Sequence, residues 1–437
     1  MERGGPTGFV GLSHLGLVTS VAWASCGRPV LAYDPNGDLV GALQKGHLTI
    51  HEPGLPELLE RARSSMQFIA RPEELSACPL VIVSLDVPTA ADNSSDLIPV
   101  LALIDSVLPM LRQHVVLVIM SQVPPGFTRR VLQRIRDARP DLNFTLYYLV
   151  ETLIFGRAVE RALKPERFIV GAMDPRLPLD EELAHPLRSY GCPVLAMRYE
   201  SAELAKTAIN LYLIGSVTYA NTLADLCEAL EADWSEIVPA LRLDQRIGPA
   251  AYLRPGLGIA GGNLERDLQT LKGLAYERGV DVEYLKGLEV ANERRYRWLL
   301  RMLRQQVFPR NPVPRIAIWG LTYKKNTRSV KNSTTLRFLN DFGTRVDCRV
   351  WDPVICPGEM ELPGLIGTSP EAVLEGADAL LILTDWEEFL KYDLQPLTTL
   401  MRTPCVLDCV GVFEGRRHEL GGIQYVSMGR PIERVEV

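Results

Sequence analysis

The stretch GFVGLSHLG, residues 8–16, decides the fold, because an apolar run leads directly into a glycine-bounded turn and a helical pattern. Residues 8–13 predict a strand and residues 15–26 predict a helix. Further β-rich runs lie at 29–33, 79–85 and 115–121, and helical stretches lie between them at 36–45, 55–63 and 97–112. This alternation predicts a parallel sheet with helices on both faces.

A second block of the same kind occupies the end of the chain. Its apolar runs are RIAIWGL (315–321), CRVWDP (348–353), ADALLIL (377–383) and CVLDCV (405–410). Between the two blocks, residues 201–232 predict one long helix, and residues 264–304 are helical in pattern too. We therefore expect an α/β protein with two Rossmann-like doubly wound domains, joined by a long central helix and a helical dimerisation segment. The expected domains are 1–198, 199–310 and 311–437.

Composition excludes several function classes. The 437 residues carry a net charge of −6, so no overall basic field favours a nucleic acid partner. The longest apolar runs, such as residues 115–120, have the length of a strand and are too short to span a bilayer. The first 13 residues do not resemble a secretion signal. The eight cysteines show no CxxC pair or metal-ligand spacing, and we interpret them as reduced core residues of a cytoplasmic protein without a metal.

The turn GLSHLG (11–16) has the pattern G-x-S-x-x-G between a predicted strand and a predicted helix. Backbone N–H groups of such a turn, with the helix N-terminus, can bind a pyrophosphate. The next strand ends in Asp34, 18 residues after Gly16, where an acid favours NAD over NADP. The alternative is a tight turn that binds nothing, since the Ser13 side chain would crowd the pyrophosphate. The loops 85–90 and 121–128 follow apolar strands and are expected to line the same cleft.

These features resemble the UDP-glucose/GDP-mannose dehydrogenase family from about residue 8 to residue 410. The matching motifs are HEPGLPELL (51–59), VPT (87–89), VPPG (123–126), AELAKTAIN (202–210), DQRIG (244–248), the loop 258–267, GLTYKKNT (320–327), WDP (351–353) and ADALLILTDWEEF (377–389). The resemblance implies an NAD domain, a dimerising helical segment and a nucleotide-sugar domain. It also implies oxidation of a sugar's primary alcohol to a carboxylate in two hydride transfers, with two NAD.

The resemblance places the chemistry on Lys206, Asn210, Asp267 and Glu151. Lys206 and Asn210 are four residues apart on one helical face, where a lysine can stabilise a developing oxyanion; the alternative is a surface lysine beside a packing asparagine. Asp267 is implied to handle protons through the sugar hydroxyl and a water, and its alternative role is helix capping. Glu151 is implied to guide the later hydrolysis, although the basic and acidic residues expected after it are replaced by Ile154 and Phe155.

The loop GIAGGNLERD (258–267) departs from the family pattern, which reads roughly G-F-G-G-S-C-F/L-P-K-D. Asn263 replaces the catalytic cysteine, Glu265 the proline and Arg266 the lysine. A thiolate adds to an aldehyde and allows its further oxidation, whereas an amide can only donate and accept hydrogen bonds. Gln122 stands where a threonine is usual, so several site positions differ together. We interpret this as a repurposed site.

The resemblance also assigns the ligand contacts. Arg246 is implied to reach the sugar nucleotide across a dimer interface, and Val410 replaces a family arginine. DQRIG resembles the UDP-glucose branch and YLRPG (252–256) the GDP-mannose branch, and we favour UDP; a solvated surface is the alternative for the basic residues. Substrate contacts are expected from Arg246, Tyr252, Gly258, Gly261 and Lys324. Cofactor contacts are expected from Gly11, Ser13, Leu15, Gly16, Asp34, Val87, Pro88, Thr89, Gln122 and Lys331, the last in place of an arginine.

Three functions are open from the sequence. The first is an NAD-dependent nucleotide-sugar dehydrogenase, a homodimer or larger assembly, that removes one electron pair from a sugar hydroxyl. The second is full four-electron oxidation through the aldehyde hydrate. The third is a non-catalytic binding protein that keeps the fold, with or without one ligand.

Overall fold

A computed structural model describes residues 5–90 and 94–432. Contacts between Cα atoms divide the chain into two compact units, residues 1–209 and 210–437. The boundary falls within the long helix that the sequence predicts. The first four residues of the N-terminal stretch considered above lie outside the described part.

The first unit is built on an eight-stranded sheet. Its strand order is β3-β2-β1-β4-β5-β6-β7-β8, and every neighbouring pair is parallel except β6 and β7. The order reverses direction between β1 and β4, which is the switch point where ligands bind in open α/β sheets. The strands are β1 (Thr7–Val10), β2 (Val30–Tyr33), β3 (Met66–Ile69), β4 (Leu80–Val83), β5 (Val115–Ile119), β6 (Phe144–Leu149), β7 (Phe168–Ala172) and β8 (Val194–Arg198).

Helices cover both faces of this sheet. Successive strand residues point to opposite sides, so each strand contributes side chains to both faces. Phe9 belongs to one buried apolar cluster and the adjacent Val10 to another. The strands are therefore apolar along their whole length, as in sheets buried on both faces. The helices are α1 (His14–Ser25), α2 (Gly37–Gln44), α3 (Leu55–Ala62), α4 (Ile98–Val107), α5 (Phe127–Ala138), α6 (Ala158–Leu163), α7 (Glu181–Arg188) and α8 (Tyr199–Leu230).

The second unit contains a six-stranded parallel sheet in the order β11-β10-β9-β12-β13-β14. Two buried clusters again lie on its two faces. The elements are α9 (Trp234–Leu243), α10 (Asn263–Glu277), α11 (Glu283–Gln306), β9 (Arg315–Trp319), α12 (Thr334–Phe342), β10 (Asp347–Trp351), β11 (Leu365–Ile366), α13 (Pro370–Leu374), β12 (Ala379–Ile382), α14 (Glu387–Leu390), α15 (Gln395–Thr399), β13 (Cys405–Asp408) and β14 (Gln424–Ser427).

The predicted fold class is confirmed, with two parallel-sheet Rossmann-like units and one unbroken helix, Tyr199–Leu230. The helical stretch 264–304 is two helices, because the backbone at Gly279 has a positive φ of 66° that ends α10. The interpretation of all cysteines as core residues is wrong for Cys26 and Cys356, which are exposed. Among the described residues, no helix combines the length and apolarity needed to cross a bilayer.

Candidate active site

The turn after β1 is held tightly against the neighbouring loop. Gly11 has a φ of +93°, and a Cβ there would lie 2.9 Å from the Leu85 Cβ atom. A Cβ on Gly16 would lie only 1.8 Å from the Gly11 carbonyl oxygen. Both positions therefore require glycine, for backbone conformation at one and for helix-to-turn packing at the other.

We expect Gly16→Ala to disrupt this turn. The added methyl group must push α1 away from the Gly11 carbonyl, at a cost of about 1–3 kcal/mol in the free energy of unfolding. The displaced helix start should also weaken NADH binding by about tenfold or more. Chemical denaturation and fluorescence titration measure the two effects. Gly41→Ala is the matched control, since nothing lies within 4 Å of a Cβ there; equal stability and affinity for both variants would contradict the packing role of Gly16.

Asp34 lies at the end of β2 and is only 8% exposed. Its Oδ2 atom accepts a hydrogen bond from the Leu12 N–H at 2.8 Å, and its Oδ1 atom accepts one from the Asn36 N–H at 2.9 Å. The carboxylate thus connects the second strand to the turn after the first. Each oxygen keeps a further acceptor position, as a ribose diol requires.

The Ser13 side chain does not cap α1, since it makes no hydrogen bond to the start of that helix. Its Oγ atom accepts the Asp86 N–H at 2.7 Å, and the Asp86 Oδ2 atom accepts the Leu15 N–H at 3.0 Å. The two loops after β1 and β4 are therefore joined by a reciprocal pair of hydrogen bonds. Sequence reasoning missed Asp86, because it is one acid in a proline-containing loop.

The HEPG motif anchors the same turn from another side. His14 Nε2 lies 2.9 Å from Glu52 Oε2, and the buried Glu52 carboxylate also accepts the N–H groups of Gly156 and Ala158. Burial opposes ionisation of Glu52, but these hydrogen bonds lower its pKa below the ordinary value. The His14 ring also packs against Phe155, with ring centroids 4.2 Å apart. Glu52 thereby fixes the segment that follows Glu151.

Lys206 and Glu151 form an ion pair in the first unit. Lys206 Nζ lies 3.1 Å from Glu151 Oε2, and their side chains are 12% and 13% exposed. The interpretation of Lys206 as an ordinary surface lysine is therefore wrong. The pair places an ammonium group next to a carboxylate in a poorly solvated position, where charge interactions are stronger than in water.

Glu203, three residues before Lys206, is completely buried. Its carboxylate accepts the N–H groups of Gly126 and Thr128 at 2.5 and 2.7 Å, at the start of α5. Burial raises the pKa of Glu203 above the ordinary value, although these hydrogen bonds act in the opposite direction. The contact fixes the first turns of α8, and therefore Lys206, against the VPPG loop.

Asn210 and Asp267 come together in the second unit. The Asn210 Nδ2 atom donates to Asp267 Oδ2 at 2.6 Å, and both residues are buried. Arg266 Nε lies 3.6 Å from Asp267 Oδ1. Helix α10 begins at Asn263, so Asp267 lies in its second turn, and the alternative reading of Asp267 as a helix cap is wrong. The carboxylate instead has an amide donor and a guanidinium as neighbours.

Asn263 is the first residue of α10, and its side chain is exposed. It follows two glycines with positive φ, Gly261 and Gly262. The Glu265 carboxylate hydrogen-bonds to the Asn332 amide and accepts the Gly262 N–H, although burial raises its pKa. Glu265 thus caps α10 through a hydrogen bond to Gly262, the residue before the helix. This contact gives Glu265, which replaces the family's proline, a structural role.

The glycines of this loop allow close packing by side chains from other elements. A Cβ on Gly258 would lie 2.1 Å from Asn292 Oδ1, an atom that accepts the Ile259 N–H at 2.8 Å. A Cβ on Gly261 would lie 2.2 Å from the Tyr323 ring. The loop after β9 therefore lies directly on the glycine loop.

A cavity of about 200 Å³ lies beside this contact. Its lining includes Gly258, Tyr323, Arg254, Asp385 and Val410. The Arg254 guanidinium donates to the Val410 carbonyl and lies 3.5 Å from Asp385, so a guanidinium reaches this cavity although residue 410 is not an arginine. Sequence reasoning missed Arg254.

The remaining predicted contact residues occupy varied environments. Lys324 lies over the Tyr323 ring, with its Nζ atom 5.5 Å from the ring centroid. The Lys331 side chain lies next to Gly262, where an added Cβ would be 3.2 Å from the Lys331 Cδ atom.

The Arg246 side chain is 89% exposed and pairs with the nearby Asp244. It does not line the cavity beside Gly258. Tyr252 is also exposed, Val87 is buried, Pro88 is exposed, and Thr89 and Gln122 are half-buried.

A parallel sheet with a glycine-bounded turn at its switch point and a buried acid after the second strand defines a dinucleotide-binding α/β protein. The chain belongs to the UDP-glucose/GDP-mannose dehydrogenase family: its NAD binding domain matches residues 7–184, its central domain residues 200–294 and its UDP binding domain residues 317–415. Members of this family are NAD-dependent oxidoreductases that act on CH–OH groups of nucleotide sugars.

Individual relatives agree with this assignment. The chain is 30% identical to a UDP-glucose 6-dehydrogenase of Pseudomonas aeruginosa, over 97% of each chain, and 28% identical to UDP-glucose 6-dehydrogenase TuaD of Bacillus subtilis, over 97% of this chain and 93% of the relative. A UDP-glucose dehydrogenase from Pyrobaculum islandicum superposes with a TM-score of 0.82 at 28% identity, covering 95% of this chain and 96% of that one.

The residues present fit the NAD that this family uses. Gly16 allows α1 to begin close against the turn, as in dinucleotide-binding folds, and Asp34 keeps acceptor positions for a ribose. Bound NAD supplies a hydride acceptor. Among the described residues, no group of three or more His, Cys, Asp and Glu side chains could hold a metal ion.

Proposed function

We propose that this chain removes a single electron pair from a hydroxyl group of a UDP-sugar, with NAD as acceptor. The observation that carries the proposal is Asn263, an exposed amide at the start of α10 where the family pattern has a cysteine. An amide forms no thiohemiacetal, so the carbonyl product has no covalent route to a second oxidation. The product is an aldehyde, or a ketone if the reacting hydroxyl is secondary.

Lys206 and Asp267 supply the polar groups for that step. As the C–H bond breaks, its electron pair leaves as hydride and the hydroxyl proton must also leave. Lys206, poorly solvated beside Glu151, stabilises the alkoxide that develops on oxygen. Asp267, held by Asn210, receives the proton through a water. We assign these roles from the family motifs, and the burial of both residues supports them.

UDP is the favoured nucleotide. The C-terminal match is to a UDP binding domain, and the relatives from Pseudomonas aeruginosa and Bacillus subtilis are named UDP-glucose 6-dehydrogenases. The cavity beside Gly258 is lined by Tyr323 and Arg254, an aromatic ring for a base and a cation for a phosphate.

We also propose a homodimer formed through α8. Tyr212, Tyr219 and Leu226 are exposed and seven residues apart, so they lie along one face of the helix. An exposed apolar stripe of this kind is typical of a helix that packs against a partner. The middle segment, 199–310, is accordingly the proposed dimerisation domain between the cofactor domain (1–198) and the nucleotide-sugar domain (311–437).

Full oxidation through the aldehyde hydrate is the second candidate. It is favoured by Glu151, the residue implied to guide hydrolysis, which the structure places beside Lys206. In this route water would add to the aldehyde in place of the thiolate, and the hydrate would lose a second hydride to a second NAD and its protons to water, which leaves the carboxylate.

Product masses after turnover of a panel of UDP- and GDP-sugars with NAD test the proposal. A single oxidation gives a product lighter by two hydrogen atoms, trapped as its oxime by hydroxylamine. A carboxylate product, which retains an added oxygen atom and forms no oxime, supports the hydrate route instead. Absence of turnover across the panel contradicts both oxidation routes and supports the third function, a binding protein without catalysis. A GDP-sugar as the best substrate contradicts the nucleotide assignment alone.

A further inference from the structure

The Asp86 carboxylate lies at the start of α1, where a dinucleotide-binding fold places a pyrophosphate. Its Oδ2 atom accepts the Leu15 N–H at 3.0 Å. Its own backbone N–H donates to Ser13 Oγ at 2.7 Å, so the residue is held by the turn it contacts. The first turn of α1 contains no acid of its own. An acid from the loop after β4 therefore supplies the negative charge that a helix N-terminus favours.

This arrangement removes backbone donors from the turn. The Leu12 N–H already donates to Asp34 and the Leu15 N–H donates to Asp86. Backbone donors at both ends of the turn are therefore hydrogen-bonded to carboxylates. Asp86 also has no cationic side chain as a partner among the described residues. Glu52, a third carboxylate at this turn, faces His14, whereas no ion pair in the described part of the chain involves Asp86.

We propose that Asp86 competes within the chain for the pyrophosphate position and thereby sets the affinity for NAD. The proposal rests on the proposed dinucleotide position at residues 11–16. A pyrophosphate and the Asp86 carboxylate are both anions and both seek the Leu15 N–H. Binding therefore requires the Asp86 side chain to turn away, and its return favours release of the dinucleotide.

Asp86→Asn tests this directly, because it keeps the size and one carbonyl oxygen of the side chain and removes the charge. We expect the variant to bind NADH and ADP-ribose about tenfold more tightly than the unchanged protein, mainly through slower release. Adenosine, which has no phosphate, should bind equally to both. Asp137→Asn is the matched control: Asp137 is exposed on α5, receives a hydrogen bond from Gln133, and its loss changes the net charge equally.

Isothermal titration gives the affinities, stopped-flow fluorescence gives the NADH release rate, and thermal melting checks that each variant is folded. Asp86→Ser is the second variant, should the asparagine variant fail to fold. Unchanged or weaker NADH binding by an uncharged variant overturns the proposal, as does an equal gain in Asp137→Asn or for adenosine. Where the unchanged protein binds no NADH, binding gained by Asp86→Asn supports the proposal, and no binding by either overturns it. The proposed dehydrogenase function fails separately, when no nucleotide sugar yields NADH.

Discussion

Lys206→Ala lowers kcat for nucleotide-sugar oxidation by about 10²–10³-fold. The ammonium group is the cation that we assign to the developing alkoxide, and it is held 3.1 Å from Glu151 in a poorly solvated position. Removing it leaves the negative charge on oxygen without a partner. The affinity for NADH should stay within about threefold, since the proposed dinucleotide turn is at residues 11–16. Steady-state kinetics and a separate NADH titration measure the two quantities.

A structural explanation for this loss can be excluded with a double variant. Lys206→Ala leaves the poorly solvated Glu151 carboxylate without its cation, which alone destabilises a protein. Adding Glu151→Gln removes that unpaired charge and should restore the melting temperature. Recovery of stability without recovery of kcat supports the catalytic role of Lys206, provided that Glu151→Gln alone retains kcat. Recovery of both would assign Lys206 a structural role only.

Asp267→Asn is the second large effect, with kcat lowered by about 10²–10³-fold. The amide keeps the size of the side chain and can still accept the 2.6 Å hydrogen bond from Asn210, but it cannot take up a proton. A packing role alone would therefore leave turnover nearly unchanged. Steady-state kinetics measure the loss of kcat, and thermal melting checks that the variant is folded.

Asn263→Ala is the matched control in the same loop. Asn263 is exposed, and we assign it no covalent role, so turnover should stay within about tenfold of the unchanged protein. A loss as large as that of Asp267→Asn would show that the amide takes part in the first oxidation. Equal, unchanged rates for Lys206→Ala and Asn263→Ala would contradict the proposed site.

The sequence predicts the fold because local signals agree with each other. The apolar strand, the turn at Gly11 and Gly16 and the acid at Asp34 lie within a single β-α-β unit, where spacing along the chain determines spatial position. The same holds for α8, whose apolar period continues without a break. These features can be predicted from one sequence alone.

The side-chain contacts of the candidate site could not be predicted in this way. Asp86 reaches Leu15 across 71 positions and Asp267 reaches Asn210 across 57. Such pairs depend on which loops the sheet order brings together, and no periodicity signals them. The capping interpretation of Asp267 was wrong because the helix begins four residues earlier, at Asn263. Helix boundaries are poorly determined when the preceding loop is rich in glycine.

Counting NADH against nucleotide sugar consumed tests the single-oxidation claim most directly. The reaction is run to completion with limiting UDP-sugar, excess NAD and thiols blocked by an alkylating reagent. With Asn263 in place of a thiol, we expect about one NADH for each sugar consumed, and insensitivity to the reagent. Two NADH per sugar, or an acyl group found covalently attached to the chain, would contradict a reaction that ends at the carbonyl compound.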